Sequence, residues 1–229
     1  PGSIAAAVVD GLLAGGARVI VTTSSYSEAR LGTWKRRYQA VAAPGAELHI
    51  IPMNQGSMQD VDAAVKWVMA RWTPDLLLPC AAMPEAADLT GLGGRSLASF
   101  RVLVLGVERL IARIAEGYRA RSLGRGEDRQ CCHVVLPLSP NHGLFGGDGV
   151  YGESKAALEV LLARWSAEQH AWGHAVSLVG ARIGWVRGTG LMHQNDALVS
   201  RLEADTGLVT YSQAEMAARL LALCGAESR

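Results

Sequence analysis

The feature that most constrains this chain is a regular alternation of short apolar segments with longer amphipathic ones. Five short segments, rich in β-branched residues, have the pattern of buried strands. Segments with helical periodicity lie between them, and the connections are short. Strands that alternate with helices in this way predict an α/β fold, a doubly wound parallel sheet with helices on both faces. The predicted strands cover 17–23, 47–52, 75–81, 132–138 and 175–182.

Several predicted helices begin with a capping signal. Ser3, Ser57 and Ser212 each stand where a side-chain oxygen can accept a hydrogen bond from the first turn of a helix. Asp60 and Glu215 follow the second and third of these serines by three residues, as in a capping box. The predicted helices cover Ile4–Ala14, 27–42, 57–72, 97–117, 150–172 and 212–224.

A length of 229 residues suits one large domain or a tight pair of domains, and we expect a single domain over residues 1–229. Hydrophobic residues make up 49% of the sequence and charged residues 19%, which is enough apolar material for a sizeable core. A net charge of +1 gives no reason to expect binding to nucleic acid or to an anionic membrane. No apolar run reaches the roughly 18 residues that a membrane span needs, and the first residues lack the charged region of a signal peptide.

The cysteines and histidines point to neither a disulfide framework nor a metal site. The four cysteines (Cys80, Cys131, Cys132 and Cys224) form no C-x-x-C motif and show no regular spacing. They are expected to be buried thiols of a cytoplasmic protein. The six histidines are scattered and form no paired set of zinc ligands, so no metal is expected.

Small and polar residues follow the predicted strands at the point where each strand ends. These segments read SSYS, MNQGS, AMPE, SPNHG and IGWVRGTGL. Parallel sheets bind ligands beyond the carboxyl ends of their strands. We therefore expect the functional site at that edge of the sheet.

One pair of residues at this edge suggests proton transfer. Tyr151 and Lys155 are four residues apart at the start of a predicted helix, so their side chains would share one face. Ser139 leaves the preceding strand at the same edge. Tyr151 can donate a proton to a carbonyl oxygen that receives charge during hydride transfer, and Ser139 can donate a second hydrogen bond to it. A nearby ammonium is expected to lower the pKa of the phenol from its usual value of about 10.

The choice of lysine at position 155 adds weight to this interpretation. Of the 22 lysines and arginines only three are lysines, so arginine supplies nearly all of the positive charge. A lysine here indicates that a compact ammonium is needed, one that can also hold a cofactor ribose hydroxyl. The alternative is an exposed helix pair, with Ser139 merely starting a turn before a proline. His142 is a further candidate proton carrier but is more often structural in such a loop, and Asp148 and Glu153 are expected to face solvent.

Four segments, spread along the chain between Gly2 and Met192, have a recognisable pattern: GSIAAAVVDGLLAGGARVIVTTS, IPMNQGSMQDV, LPLSPNHGLFGGDGVYGESKAALE and IGWVRGTGLM. They resemble the short-chain dehydrogenase/reductase family, and more closely the β-ketoacyl reductase domain of the type I fatty acid synthases of fungi and actinobacteria. The resemblance implies a Rossmann-like fold and NADPH-dependent reduction of 3-ketoacyl groups to 3-hydroxyacyl groups. The acyl group would be carried on an acyl carrier protein. The other domains of a homo-oligomeric synthase would be further partners.

The resemblance also implies roles for individual residues. Ser139, Tyr151 and Lys155 match the catalytic serine, tyrosine and lysine of the family, and the latter two also contact the cofactor. The other matched positions bind the cofactor. They are Gly2, Ser3 and Ile4 for the pyrophosphate, Thr23 and Ser24 for the adenosine ribose and its 2′-phosphate, Asn54 and Gln55 beside the adenine, Ala81 and Ala82 where the backbone passes the cofactor, and Ile183, Gly184, Trp185 and Thr189 for the nicotinamide carboxamide.

The chain departs from the family pattern in three ways. Gly106 aligns with an asparagine that supports a proton relay, which would leave a triad without a fourth residue. Ser25 replaces an arginine after the TTS turn, so either Arg30 serves instead or the preference for NADPH over NADH is weaker. The sequence begins inside the phosphate loop and ends early. We therefore expect the first and last strands of the family fold to be missing, and the chain to be a segment of a larger multifunctional polypeptide.

Two other functions stay open. The chain could be a short-chain reductase that acts on a free small ketone or alcohol, or a non-catalytic scaffold segment of a megasynthase.

Two surfaces could contact partners. The arginine-rich stretch 118–130, predicted to be a surface loop, could dock an acidic carrier protein or simply be solvated. Within 97–117, an apolar stripe at helical spacing could pack against a second copy, although core packing is the commoner explanation. The stripe consists of Leu103, Val107, Leu110 and Ile114, and the arginines are Arg119, Arg121, Arg125 and Arg129.

Overall fold

The computed structural model describes residues 2–122, 131–143, 146–190 and 192–225. Within these ranges the chain has the predicted α/β organisation, and every pairing between neighbouring strands is parallel. The chain divides into two compact units. The first comprises the residues up to Pro52 together with Ile183–Leu223, and the second comprises Met53–Arg182 with the residues from Cys224 onward.

The elements follow the predicted alternation. The strands are β1 (Arg18–Thr23), β2 (Glu47–Pro52), β3 (Leu76–Leu77), β4 (Cys132–Leu138) and β5 (Val176–Arg182). The α-helices are α1 (Ile4–Ala14), α2 (Glu28–Val41), α3 (Met58–Met69), α4 (Gly94–Phe100), α5 (Gly106–Ser122), α6 (Tyr151–Ala167), α7 (Val199–Thr206) and α8 (Gln213–Ala222). Shorter helical turns cover Leu89–Gly91, Arg101–Leu105, Gln169–Gly173 and His193–Leu198.

The first unit is built around β1 and β2, which pair over six residues each. Leu13 and Val9 of α1 are buried together with Val19 of β1 and Ala46 just before β2. The hydroxyl of Tyr38 in α2 donates to the carbonyl oxygen of Ala46 at 2.8 Å, which ties that helix to the start of β2. Most residues of the two strands are only partly buried. The sequence pattern predicts buried strands, so β1 and β2 are less buried in this structure than predicted.

The second unit contains the more deeply buried sheet, in the order β3-β4-β5. All seven residues of the central strand β4 are buried. One of them is polar: His133 is 0% exposed, and its Nδ1 lies 2.8 Å from Oγ of Ser177 on β5. A buried imidazole must find a hydrogen-bond partner, and the parallel register places Ser177 directly opposite.

Strand β3 is much shorter than the predicted 75–81. The ladder with β4 ends after Leu77, and the N–H of Cys80 then donates to the carbonyl oxygen of Leu78 at 2.9 Å. A hydrogen bond between residues two apart closes a tight turn and directs the chain away from the sheet.

The predicted helix 97–117 consists of two α-helices joined by a π-helical turn at Arg101–Leu105. The helical region begins earlier, at Gly94, and continues to Ser122. Part of the predicted loop 118–130 is therefore helical, and 123–130 lies outside the described residues. The apolar stripe is buried at all four positions, which favours core packing over contact with a second copy: Leu103, Val107, Leu110 and Ile114.

A buried glutamine explains both the π-helical turn and the glycine that follows it. The Gln55 side chain is buried and its Nε2 donates to the carbonyl oxygen of Val102 at 2.8 Å, within the turn. A Cβ atom at Gly106 would lie 2.0 Å from the Gln55 carbonyl oxygen, where no side chain fits. Glycine at position 106 thus permits close approach of the Gln55 backbone, and an asparagine could not replace it without displacing Gln55.

The capping predictions hold with one difference. Ser57 and Ser212 accept hydrogen bonds from the backbone N–H groups of Asp60 and Glu215, as expected. Glu215 completes a reciprocal box with Ser212. The Asp60 carboxylate instead accepts from the N–H of Asn54 at 3.0 Å and from the Ser57 hydroxyl, so it fixes the loop before the helix.

Helix α6 ends earlier than predicted, at Ala167, because a π-helical turn follows at Gln169–Gly173. Helix α7 was not predicted. It ends at Gly207, whose φ of 69° is the left-handed conformation that glycine adopts easily.

Replacement of Gly106 by alanine should destabilise the fold, because the new methyl group would collide with the Gln55 carbonyl group. Overpacking of this kind costs roughly 1–3 kcal/mol in the free energy of unfolding. Gly32→Ala in α2 is the matched control, since its Cβ atom would meet only the end of the Arg36 side chain at 3.6 Å. That control should stabilise the helix by about 0.5–1 kcal/mol. Urea denaturation of both variants tests this, and equal effects would contradict it.

Candidate active site

Ser139, directly after the last residue of β4, is held in a fixed position. It is only 6% exposed, and its Oγ accepts a hydrogen bond from the N–H of Asn141 at 3.1 Å. The fully buried strand delivers this residue to the carboxyl end of the sheet, as the sequence predicts.

Tyr151 is the first residue of α6, and its phenol interacts with the Ser139 hydroxyl group. The pKa of the phenol is raised above its usual value, first because the ring is buried and second because the Asp148 carboxylate lies nearby. The interaction with Ser139 lowers the pKa and so acts in the opposite direction. The phenol therefore holds its proton at neutral pH.

Lys155 lies one turn further along α6 and is 5% exposed. Its ammonium donates to the carbonyl oxygen of Pro137 at 2.5 Å, and Nζ is 5.5 Å from the centroid of the Tyr151 ring. Burial lowers the pKa of Lys155 to about 8, partly offset by attraction to the Cys80 thiol group. An ammonium ion carries three N–H donors, so this side chain can donate hydrogen bonds to further oxygen atoms besides that of Pro137.

The structure thus brings together Ser139, Tyr151 and Lys155, but it corrects one expectation about them. The nearby ammonium was expected to lower the pKa of the phenol, and that expectation is wrong for this structure. The Lys155 ammonium is directed to the Pro137 carbonyl group, and burial dominates the titration of Tyr151. The arrangement presents a protonated phenol beside a hydroxyl group, which suits donation of a proton.

The loop between Ser139 and Tyr151 packs closely on the first turn of α6. Nδ2 of Asn141 donates to Asp148 at 2.7 Å across this loop. A Cβ atom at Gly152 would lie 3.0 Å from the backbone nitrogen of Gly143, so glycine leaves room for the loop. Asp148 is half-buried and paired, contrary to the expectation that it faces solvent.

The other polar candidates near the trio have structural partners. Nε2 of His142 lies 3.2 Å from the Glu159 carboxylate, which also pairs with Arg182 at 2.9 Å. These contacts favour a structural role for His142. Glu153 is exposed, as predicted.

Four further candidates for cofactor binding belong to the same unit. Asn54 is exposed, and its Oδ1 accepts from the N–H of Gly56 at 3.0 Å. Ala81 and Ala82 are exposed in the irregular segment that follows β3. The Gln55 side chain, by contrast, is engaged in the π-helical turn, so only its backbone is free to act beside an adenine ring.

The candidates for the cofactor phosphates lie in the first unit. Ser3 caps α1 by accepting a hydrogen bond from Ala6, and Gly2 and Ile4 flank it. The first turn of α1 contains no acidic side chain, so nothing there repels an anion.

Thr23 and Ser24 follow at the end of β1. The Thr23 hydroxyl bridges to the backbone of Ser25, which shapes this turn. Arg30 is exposed in the first turn of α2, so its guanidinium is open to solvent.

The segment Ile183–Thr189 is also held within the first unit. Thr189 is buried and its hydroxyl donates to Val186 at 3.0 Å. The backbone of Trp185 and Arg187 pairs with Tyr211. Among the described residues, the buried indole N–H of Trp185 has no hydrogen-bond partner. A buried donor of this kind fits an acceptor supplied by a ligand.

Sequence reasoning missed Gln213, which fixes this segment. Its Nε2 donates to the carbonyl oxygen of Gly188 at 2.8 Å, and a Cβ atom at Gly2 or Gly188 would come within 2.4 or 3.1 Å of its amide. The sequence shows Gln213 only as the first residue of a helix, so no pattern could have identified it.

In the ranges that the structure describes, no group of histidine, cysteine and carboxylate side chains could hold a metal ion. No helix within the same ranges has the length and apolar character needed to cross a membrane.

The depressed pKa of Lys155 should make stability depend on pH. Lys155 holds its proton less tightly in the folded state, near pH 8, than in the unfolded state, near pH 10.5. The unfolded chain therefore binds more protons between these values, and stability rises with pH across that window. Between pH 7.5 and pH 10, the free energy of unfolding of the wild type should rise by about 2 kcal/mol more than that of Lys155→Met. Urea denaturation at several pH values measures this, and a constant difference between the two proteins would contradict it.

Comparison with known proteins identifies relatives among the fungal fatty acid synthases, whereas no protein-family model matches the chain. The chain is 43% identical over 228 residues to the fatty acid synthase subunit alpha of Emericella nidulans, covering 97% of this chain and 13% of that protein. It is 39% identical over 230 residues to the same subunit of Saccharomyces cerevisiae, covering 97% and 12%. The chain therefore spans only 12–13% of the length of these relatives.

Solved structures agree on the fold. A short-chain dehydrogenase/reductase from Mycobacterium ulcerans superposes with a TM-score of 0.79 at 18% identity, over 98% of this chain and 80% of that one. Gluconate 5-dehydrogenase from Burkholderia cenocepacia, in complex with NADP and tartrate, gives 0.78 at 20% identity, over 99% and 86%. The chain is thus homologous to one segment of the fatty acid synthase alpha subunit and has the fold of the short-chain dehydrogenases/reductases.

Proposed function

We propose that this chain is the ketoreductase segment of a type I fatty acid synthase. It would reduce a 3-ketoacyl group on an acyl carrier protein to the 3-hydroxyacyl group with NADPH. The observation that carries the proposal is the meeting of Ser139, fixed at the end of β4, with Tyr151 at the start of α6 and the Lys155 ammonium beside the tyrosine ring. Identity of 39–43% to a segment of synthase alpha subunits supports the same function.

Tyr151 would be the acid of this reaction. A bound nicotinamide would supply a hydride to the carbonyl carbon of the substrate. The phenol of Tyr151 would give its proton to the carbonyl oxygen, so that the ketone becomes an alcohol. The Ser139 hydroxyl would donate a second hydrogen bond to that oxygen as its charge develops. The phenolate left on Tyr151 would then regain a proton from solvent.

Each unit, considered by itself, contains residues that suit one part of a dinucleotide cofactor. In the second unit, the buried Lys155 ammonium can donate to ribose hydroxyl groups. In the first unit, the start of α1 without acidic side chains suits a phosphate, and the buried Trp185 indole N–H lacks a partner among the described residues. The gluconate dehydrogenase with the same fold was solved with NADP.

The preference for NADPH over NADH is part of the proposal. Thr23 and Ser24 would face the 2′-phosphate, and the exposed Arg30 would supply the positive charge that Ser25 lacks.

The partners are likewise proposed. Relatives that are far longer than this chain imply that other synthase domains surround it, and an acyl carrier protein would deliver the substrate. Arg121 hydrogen-bonds to Thr73 and to the carbonyl oxygen of Met69, so it is less available for docking than the exposed Arg119. Arg125 and Arg129 lie outside the described residues. Homo-oligomeric assembly and a location in the cytoplasm stay predictions.

Turnover on two kinds of substrate tests the proposal against its alternatives. With NADPH, the chain together with its natural flanking segments should reduce a 3-ketoacyl thioester at least tenfold more efficiently than a simple ketone, as kcat/KM. Equal efficiency would favour a reductase of free small ketones. Failure of NADPH to bind, measured by calorimetry, would favour a non-catalytic scaffold segment.

The variant Tyr151→Phe tests the role of the acid. It should bind NADPH as tightly as the wild type but reduce the thioester at least about 10²-fold more slowly, because one positioned acid typically contributes that much. Tyr38→Phe, in α2 of the first unit, is a control that removes a hydroxyl group bound to Ala46 and should keep the wild-type rate. A rate near wild type for Tyr151→Phe would refute the assignment.

A further inference from the structure

Glu85 lies in the irregular segment between β3 and α4 and links two helix starts. One carboxylate oxygen accepts a hydrogen bond from the hydroxyl of Ser96 in the first turn of α4. The other accepts a long hydrogen bond, 3.4 Å, from the N–H of Val150 immediately before α6. Ser96 is itself fixed, since its Oγ accepts from the N–H of Gly93 at 3.1 Å. Glu85 therefore connects the start of α6 to a second, anchored helix.

The backbone of Gly149 lies directly against the Glu85 carboxylate. A Cβ atom at Gly149 would come within 2.2 Å of Oε2, so any side chain there would displace the carboxylate. Gly149 also has a φ of 60°, a conformation that glycine adopts without strain. The contact therefore depends on glycine at this position for two separate reasons.

Backbone hydrogen bonds of Ala87, two residues after Glu85, also hold the loop that precedes α6. The N–H of Ala87 donates to the carbonyl oxygen of Gly147 at 3.1 Å, and the N–H of Gly149 donates back to Ala87 at 2.9 Å. This short parallel bridge and the Glu85 carboxylate hold the three residues that precede Tyr151.

The backbone N–H of Val150 is one of the donors at the start of α6 that find no acceptor inside the helix, and Glu85 supplies one. Val150 occupies the capping position, and valine has no oxygen with which to cap the first turn. A carboxylate near the amino end of a helix is also favoured by the helix dipole. Tyr151 is the first residue of this helix, so the position of its phenol follows the position of the helix start.

We propose that Glu85 is a positioning residue for Tyr151. Glu85 holds the start of α6 so that the phenol stays beside Ser139, and it does not touch the substrate. The proposal rests on the proposed reductase function, in which a misplaced acid slows the reaction steeply.

The test compares substitutions of Glu85 in the chain with its natural flanking segments. Glu85→Asp shortens the side chain so that it cannot reach both Ser96 and Val150, and it should lower kcat about tenfold while the KM and the NADPH Kd change less than twofold. Glu85→Gln keeps the length and an acceptor oxygen, and it should retain at least half of the wild-type kcat. Asp88→Ala is the matched control, because the Asp88 carboxylate, three residues away, hydrogen-bonds to Thr90 and Gly91 of its own short turn. It should keep the wild-type kcat.

A double variant separates positioning from general damage to the fold. In the Tyr151→Phe background, Glu85→Asp should cause no further loss of rate, because the group that it positions is gone. An additive loss, or a kcat for Glu85→Asp within twofold of the wild type, would overturn the proposal. An equal loss in Asp88→Ala would overturn it as well.

A second readout does not depend on activity. Ultraviolet titration of wild type minus Tyr151→Phe gives the pKa of Tyr151, and Glu85→Asp should lower that pKa as the phenol becomes exposed. An unchanged pKa would overturn the role of Glu85. A wild-type protein that reduces no thioester would instead overturn the proposed function.

Discussion

The hydrogen bond from Lys155 to the carbonyl oxygen of Pro137 joins the two elements on which the candidate site depends. Pro137 lies near the end of the buried strand β4, one residue before the strand ends and two before Ser139. Lys155 lies one turn into α6, whose first residue is Tyr151. The bond therefore sets the distance between strand and helix at the level of the two reactive hydroxyl groups. It also keeps a charged amine inside the protein, at a cost that the lowered pKa of Lys155 reflects.

Much of the fold could be predicted because its causes are local. The strand boundaries of β2 and β4 follow from apolar runs, and the serine caps follow from the need to satisfy the first N–H groups of a helix. The trio at the carboxyl end of the sheet was predictable for a related reason. In a parallel sheet the strand ends meet at one edge, so Ser139 and the start of the next helix had to be neighbours.

The rest could not be predicted because its causes are contacts between distant residues. Glu85 meets Val150 across 65 positions of sequence, and Gln55 meets Val102 across 47. No periodicity encodes such a pair. The predicted direction of the Tyr151 pKa shift was wrong for the same reason. The shift depends on how deeply the ring is buried and on where the Lys155 ammonium points. Gly106 is a further instance. Compared with the family pattern it is a position that lacks a polar side chain, whereas in the structure the absence of a side chain leaves room for the Gln55 backbone.

The scarcity of lysine has a practical consequence. Lys35 and Lys66 are exposed, whereas Lys155 is buried beside the Tyr151 ring. An amine-reactive reagent would therefore modify the first two quickly and Lys155 only when the site opens. Mass spectrometry of the acylated chain resolves three lysines easily. The slow rate at Lys155 would then report the frequency of local opening of the second unit, without a label or an introduced residue.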